Sequence, residues 1–291
     1  MTFAEKLKDL RKQEKLSQES LADKLGVSRQ AVTKWETEAG IPDIENLISI
    51  SKLFGVSLDE LMGNQSSASA PADYRYESVT EYDIDEPKHY DIKLGGAKRV
   101  ILTGYEGEKV KVRLVSNTLS ELQGVFKVKI DDIKKRIDID VNRKSGATEA
   151  AAKEAMEIFI YLPVRYIGNI ELSAAAEKIE LNSFECESTE LDIKASSVVL
   201  DGIQGKVEIN CNLDMEIFCR TLNGAVEVNQ LSASSKIYIP KGTEFYAEAK
   251  GKKTSISYEI NGKAAEDFSS QKADNYIELN GMKSELVIAY Q

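Results

Sequence analysis

The spacing of apolar residues changes once along this chain, and that change constrains the fold more than any other feature. Up to residue 62 the apolar side chains recur at helical intervals; from residue 74 onward they alternate with polar ones. A helix buries a stripe and a half-buried strand buries every second residue, so the two patterns cannot share one element type. The expected class is therefore multidomain, α followed by all-β. The expected division is a helical domain over 1–62, a flexible linker over 63–73 and a strand-rich domain over 74–291. The linker, "GNQSSASAPAD", offers little to bury and no period.

The first part carries helix signals in order. Thr2 and Glu5 form a capping box ahead of Phe3, Leu7 and Leu10. Ser17 begins a second helix with Leu21, Ala22 and Leu25 inward, and Gly26 can end it in the left-handed conformation. Ser28 caps a third helix with Ala31, Val32 and Trp35 inward. After "EAGIPD" a fourth helix presents Ile44, Leu47, Ile48 and Leu53. In "GVSLDEL", Ser57 and Glu60 cap a fifth, covered by Leu58 and Leu61.

Two helices joined by a glycine-containing turn have the spacing of a helix-turn-helix, whose second helix enters the DNA major groove. Helical spacing turns Arg29, Gln30, Thr33 and Lys34 away from the Val32/Trp35 face. Arginine can chelate guanine and glutamine can pair with adenine. Gln18, at the start of the second helix, can hold a phosphate with the backbone N–H groups there. The segment 16–62, "LSQESLADKLGVSRQAVTKWETEAGIPDIENLISISKLFGVSLDELM", resembles the Cro/phage-repressor helix-turn-helix, or XRE, family. The resemblance covers 3–62, and "SQ", "LA" and "LGVSRQAV" followed by "KWE" match at core, turn and contact positions together. It implies that Ser28, Arg29, Gln30, Thr33 and Lys34 face the major groove and that Gln18 touches phosphate. It also implies that Arg11 pairs with Glu36 across the domain, and that the protein binds a two-fold-related operator as a homodimer. The loop "TEAGIPD" (37–43) departs from the pattern: Glu38 and Asp43 stand there in place of a basic cluster.

Charge restricts how DNA could be held. The chain nets −10, and residues 1–63 hold nine Lys/Arg against eleven Asp/Glu. A nonspecific polycation is excluded. Cations must be sorted onto one side, and Arg11, Lys12 and Lys24 are the expected phosphate contacts beside Arg29 and Lys34. The structural core of this domain is expected to include Leu21, Ala22, Val32, Trp35 and Glu36.

From 168 to 240 short strands recur, anchored on Ile170, Ile179, Leu191, Val199, Val207, Ile217, Val226 and Ile237 at spacings of 8 to 12. A chain that repeats strand and turn this way can bury its apolar side chains by stacking each coil on the last. A β-solenoid, or β-helix-like, domain is expected, with a β-sandwich as the alternative. The rhythm is similar to the adhesin-like β-helix domains (DUF4097 type) found behind XRE-type domains. "GATEAAAKEA" (146–155) reads as a short helix or a loop.

Enzyme chemistry finds no constellation here. His89, the single histidine, reads as exposed. Cys186, Cys211 and Cys219 read as reduced core residues, a redox pair of Cys211 and Cys219 being the alternative. The carboxylates Glu171, Glu180, Glu190, Asp192, Asp201, Glu208, Glu216 and Glu227 alternate with apolar residues, as the solvent side of strands does. Tyr238, Phe245, Tyr246 and Tyr258 read as packing residues. No metal or cofactor is expected. The longest apolar run, "IFIYLPV", is strand-sized, and Lys6, Lys8 and Asp9 interrupt any early leader. A bacterial cytoplasmic regulator follows, nucleoid-associated when bound and non-enzymatic, with repression the expected sign. Its partners would be a double-stranded DNA operator, a second copy, and a protein or small-molecule effector at the β domain. The alternative is an interaction or scaffold protein whose β-solenoid does the main work and whose DNA domain localises it.

Overall fold

Serine caps and a left-handed glycine set the helices of the N-terminal part. In the computed structural model, which describes residues 3–14, 16–37, 39–54, 56, 74–144, 146, 148–271 and 273–290, the chain divides into two units, Met1–Ala70 and Pro71–Gln291. The first unit contains α1 (Phe3–Gln13), α2 (Gln18–Leu25), α3 (Arg29–Glu36) and α4 (Ile44–Phe54). The Ser17 hydroxyl accepts from Ser20 N at 3.0 Å and the Ser28 hydroxyl from Ala31 N at 3.2 Å, each taking up a donor the helix leaves unpaired. Gly26, at φ 69°, ends α2 and returns its N–H to that helix.

The core of this unit is Leu7, Leu10, Leu21, Ala22, Val32, Trp35 and Ile50. On α4 the buried stripe differs from the expected one. Ile50 is fully buried, and Leu47 and Phe54 pack beside it, while Ile48 and Leu53 are exposed. Leu47, Ile50 and Phe54 are spaced three and four apart and share one helix face; Ile48 and Leu53 turn to its flanks. The Thr2–Glu5 cap, the Ile44 side chain, Glu38, the fifth helix with Ser57, Leu58, Glu60 and Leu61, and most of the linker lie outside the described residues.

The second unit is β-rich. Its strands are β1 (Tyr76–Asp83), β2 (Lys88–Tyr105), β3 (Lys109–Ser116), β4 (Phe126–Ile133), β5 (Arg136–Arg143), β6 (Glu157–Pro163) and β7 (Ile167–Lys194). They continue as β8 (Ser197–Asn210), β9 (Glu216–Cys219), β10 (Asn223–Leu231), β11 (Ser234–Ile239), β12 (Tyr246–Ile260), β13 (Lys263–Ala265) and β14 (Tyr276–Tyr290). One ladder runs β1-β3-β6-β2-β7-β8-β9-β11-β14-β12-β13. A second path leaves it through β5, which joins β4 to β2, and through β10, which joins β8 to β14. The long strands β2, β8 and β14 therefore serve one path with their first half and the other with their second.

Pairing from β2 to β12 is parallel, and equivalent residues stack in columns. Val100, Ile179, Val198, Ile217, Ile237 and Ile288 form one column. Leu191, Ile209, Val228 and Leu279 form another. Both columns feed one hydrophobic cluster. The anchors read from the sequence are all buried. Of these anchors Val199 alone lies outside the main cluster: it stands beside Glu180 and Phe218, and its neighbours Val198 and Leu200 fill the main core.

Polar groups also stack. Asn229 Nδ2 donates to Asn210 Oδ1 at 2.7 Å, and Asn210 Nδ2 to Asp192 Oδ1 at 2.8 Å. Phe218 lies flat on Tyr238, and Tyr246 on Tyr276. Two expectations need correction. Glu180 is buried, not solvated, because Arg99 and Lys178 neutralise it at 2.7 and 2.9 Å. His89 is half-buried, with Nε2 3.3 Å from Glu171. The cysteines are buried thiols, and burial pushes Cys219 up to about 12, away from the reactive thiolate. Thr148 caps a helix over Glu149–Ala155, here α5, so this stretch is helix and not loop.

Close stacking needs missing side chains at the corners. Gly205 sits at φ 109°, and a Cβ there would lie 1.9 Å from the Cys186 carbonyl oxygen. Gly205→Ala is expected to lower the thermal midpoint of this unit. The backbone conformation alone costs about 1–3 kcal/mol, and the clash adds to it. A calorimetric scan in which this variant melts with the parent protein would show that the corner can relax.

Candidate nucleic-acid interface

Helix α3 has two unlike sides. Val32 is fully buried and Trp35 is 6% exposed, whereas Ser28, Arg29, Gln30 and Lys34 are exposed. The polar side therefore presents a guanidinium, an amide and an ammonium within two turns. Thr33 lies between the two sides: its hydroxyl is 3.2 Å from Gln18 Oε1 and 3.0 Å from the Arg29 carbonyl.

What fixes α3 against α2 and α1 is Glu36, whose side chain is 2% exposed. Arg11 Nε donates to its Oε1 at 2.5 Å and Arg11 Nη2 to its Oε2 at 2.9 Å, a two-pronged pair. Gln18 Nε2 donates to the same Oε2 at 2.9 Å. Arg11 Nη1 reaches the Leu16 carbonyl at 2.8 Å. Three helices thus meet at one carboxylate. Burial pushes that carboxyl up, but the hydrogen bonds from Arg11 and Gln18 and the charges of Arg11 and Lys8 outweigh it. Glu36 is held below the usual carboxylate range. Arg11 is raised, chiefly by its hydrogen bonds to Glu36.

The structure brings Gln18, Thr33 and Glu36 together and leaves Arg29, Gln30 and Lys34 pointing outward. Lys12 and Lys24 are exposed near the ends of α1 and α2. Arg11 is not a free surface cation: its guanidinium is divided between Glu36 and Leu16. Two links were not read from the sequence. One is the Gln18–Thr33 contact, whose signal was only that both residues sit where α2 and α3 face each other. The other is Asp43, whose Oδ1 accepts from Asn46 N at 2.8 Å. That carboxylate caps the start of α4, so its presence in an otherwise acidic loop has a structural cause. Among the described residues no group of His, Cys, Asp and Glu is arranged to hold a metal ion. None of the described helices is long and apolar enough to cross a membrane.

Residues 7–61 match the helix-turn-helix family model. The transcriptional activator BcrR of Enterococcus faecalis is 49% identical over 65 residues, 22% of this chain and 32% of that protein. The cryptic phage CTXphi transcriptional repressor RstR of Vibrio cholerae is 30% identical over 89 residues, 30% of this chain and 80% of that protein. The chain thus spans about a third of BcrR and most of RstR. A solved structure of a candidate cell adhesion protein from Clostridium sporogenes covers 74% of this chain and 100% of its own, at 14% identity and a TM-score of 0.35. A likeness at that level adds nothing to the strand pairing already described.

Proposed function

The chain belongs to the helix-turn-helix family of the XRE type, and on that premise we propose that it is a DNA-binding transcription regulator whose α3 reads an operator from the major groove. The sorting of α3 carries this reading. Its apolar side closes the small core, its carboxylate end is locked by Arg11 and Gln18, and the side chains left outside are those that can grip base edges. Arg29 would chelate a guanine and Gln30 would pair with an adenine. Ser28, Thr33 and Lys34 would complete the contact. Gln18, Lys12 and Lys24 would meet phosphates, and Arg11 would act by holding Glu36. One small domain reads few base pairs, so two copies on a two-fold operator are part of the proposal. Repression is the proposed sign, supported by RstR, the relative covered over most of its length.

The second unit is proposed to be a β-solenoid that serves assembly. Parallel, in-register columns support a solenoid over a sandwich, whose strands run antiparallel. The fragment 1–63 should then bind an operator far more weakly than the full, dimeric chain. Equal affinities would give the β unit some other role, such as that of an interaction scaffold.

Arg29→Ala is expected to cost about 1–3 kcal/mol at its cognate base pair and to relax specificity there. Measured on a panel of single-base operator variants, a uniform loss would reassign Arg29 to phosphate. Lys24→Ala should instead weaken binding to all duplexes alike. It should also make the salt dependence shallower by about one unit of log–log slope.

A further inference from the structure

The second unit holds a groove of about 1330 Å³ that reading DNA does not use. It crosses the strands β5, β2, β7, β8, β10 and β14, with α5 along one side. Its two ends differ in chemistry. At the β5–β2–β7 end stand Lys93, Arg143, Lys153 and Lys194 against two carboxylates, Glu149 and Asp192. With Asp91, which holds Lys93, counted in, four cations stand against three carboxylates, a small positive balance in a chain whose net charge is −10. Lys93 is held by Asp91 at 2.7 Å and Lys153 by Glu149 at 2.8 Å, while Asp192 accepts from Asn210. Arg143 and Lys194 are exposed and form no direct ion pair among the described residues. Their charges act on Glu149 from farther off, after the hydrogen bond and charge of Lys153, and help keep its carboxyl low.

At the β8–β10–β14 end the groove exposes Leu213, Leu231 and Met282, at 48%, 48% and 44%. Single exposed leucines are ordinary, but these form one stripe. Leu231 pairs directly with Met282, and Leu231 N donates to Asn212, the neighbour of Leu213. From Lys194 at the end of β7 to Met282 on β14 the path crosses β8 and β10. Three strand spacings make that about 14 Å. The groove is larger than an ordinary ligand pocket of about 300–1,000 Å³, and its polarity is segregated along its length and not scattered.

We propose that this groove binds a monomeric anionic amphiphile, a single aliphatic chain ending in a carboxylate or phosphate. The head would sit on Arg143 and Lys194, and the chain would lie along Leu213, Leu231 and Met282. Charge complementarity selects this occupant: a neutral amphiphile leaves the two cations unanswered, and a small anion leaves the apolar stripe wet. The inference does not rest on the DNA reading, because binding is measured without DNA.

Dodecanoate, below its micelle-forming concentration, is the probe, titrated calorimetrically into the full chain. The expected result is saturation at one molecule per chain. Dodecyl maltoside, whose alkyl tail is one carbon longer and which carries no charge, should bind at least about tenfold more weakly, and acetate should not saturate. Arg143→Gln/Lys194→Gln and, at the opposite end, Leu231→Asp should each lower dodecanoate affinity by about tenfold. All three side chains are exposed, so thermal midpoints should stay at the parent value and separate lost binding from lost folding. The proposal is overturned if dodecanoate fails to saturate or if both folded variants bind like the parent. It is equally overturned if association occurs only with anionic phosphatidylglycerol vesicles, which would make the face a membrane contact.

Discussion

Trp35→Ala is expected to unfold the first unit. The indole is 6% exposed and sits in a core of seven residues, with Leu7, Leu10, Leu21, Ala22, Val32 and Ile50. Truncating a buried tryptophan removes its transfer energy and leaves a cavity, together about 3–5 kcal/mol. A unit of this size, Met1–Ala70, has a total stability of the same order. Its helical circular dichroism should collapse at room temperature while the β unit keeps its own melting transition. A folded variant defective only in DNA binding would move the indole to the surface and reverse the assignment of the two sides of α3.

Glu36→Ala is expected to be nearly as severe. It leaves Arg11, 12% exposed, without its two-pronged partner and Gln18 without an acceptor. Removing one member of a buried pair costs about 3–5 kcal/mol, because the remaining charge stays desolvated. Glu36→Gln keeps an acceptor for Gln18 and loses the charge, so it should fall between the two. The same carboxylate links stability to pH. Its folded pKa lies below the unfolded value, so the unfolded chain binds the extra proton first. The contribution is complete above the ordinary carboxylate value near 4.5 and is lost as the pH falls through the depressed one. Denaturation of the first unit, followed from pH 7 down to pH about 3, should show that component in the parent and not in Glu36→Gln. Parallel profiles would mean that the ion pair adds no net stability.

These effects also mark how far the sequence could be read. Caps are local chemistry, so Ser17, Ser28 and Gly26 declared their helices in advance. The α3 stripe of Val32 and Trp35 was legible for the same reason. On α4, periodicity offered more apolar residues than one face can hold, and only packing against α2 and into the shared core selects Ile50 over Ile48 and Leu53. In the β unit the two-residue period identified strands but not their partners. Register is set by contacts some twenty residues apart, such as Asn210 with Asn229, and by corners such as Gly205 where backbones nearly touch. Val199 shows the limit: in "SVVLD" apolar residues stand on both faces, and alternation cannot say which one enters the main core. Of the candidate interface, the exposed side of α3 was legible from spacing. The bond between Gln18 and Thr33 was not, because it depends on how two helices cross.

The account stands or falls on whether the outer side of α3 meets base edges. The most direct measurement is selection by the full chain from a random duplex library at low salt, repeated with Arg29→Ala. The account predicts a motif with two-fold symmetry and half-sites about 10 bp apart, from which the variant erases one preferred base pair in each half. No enrichment by the parent chain, or the same motif from both proteins, would contradict it.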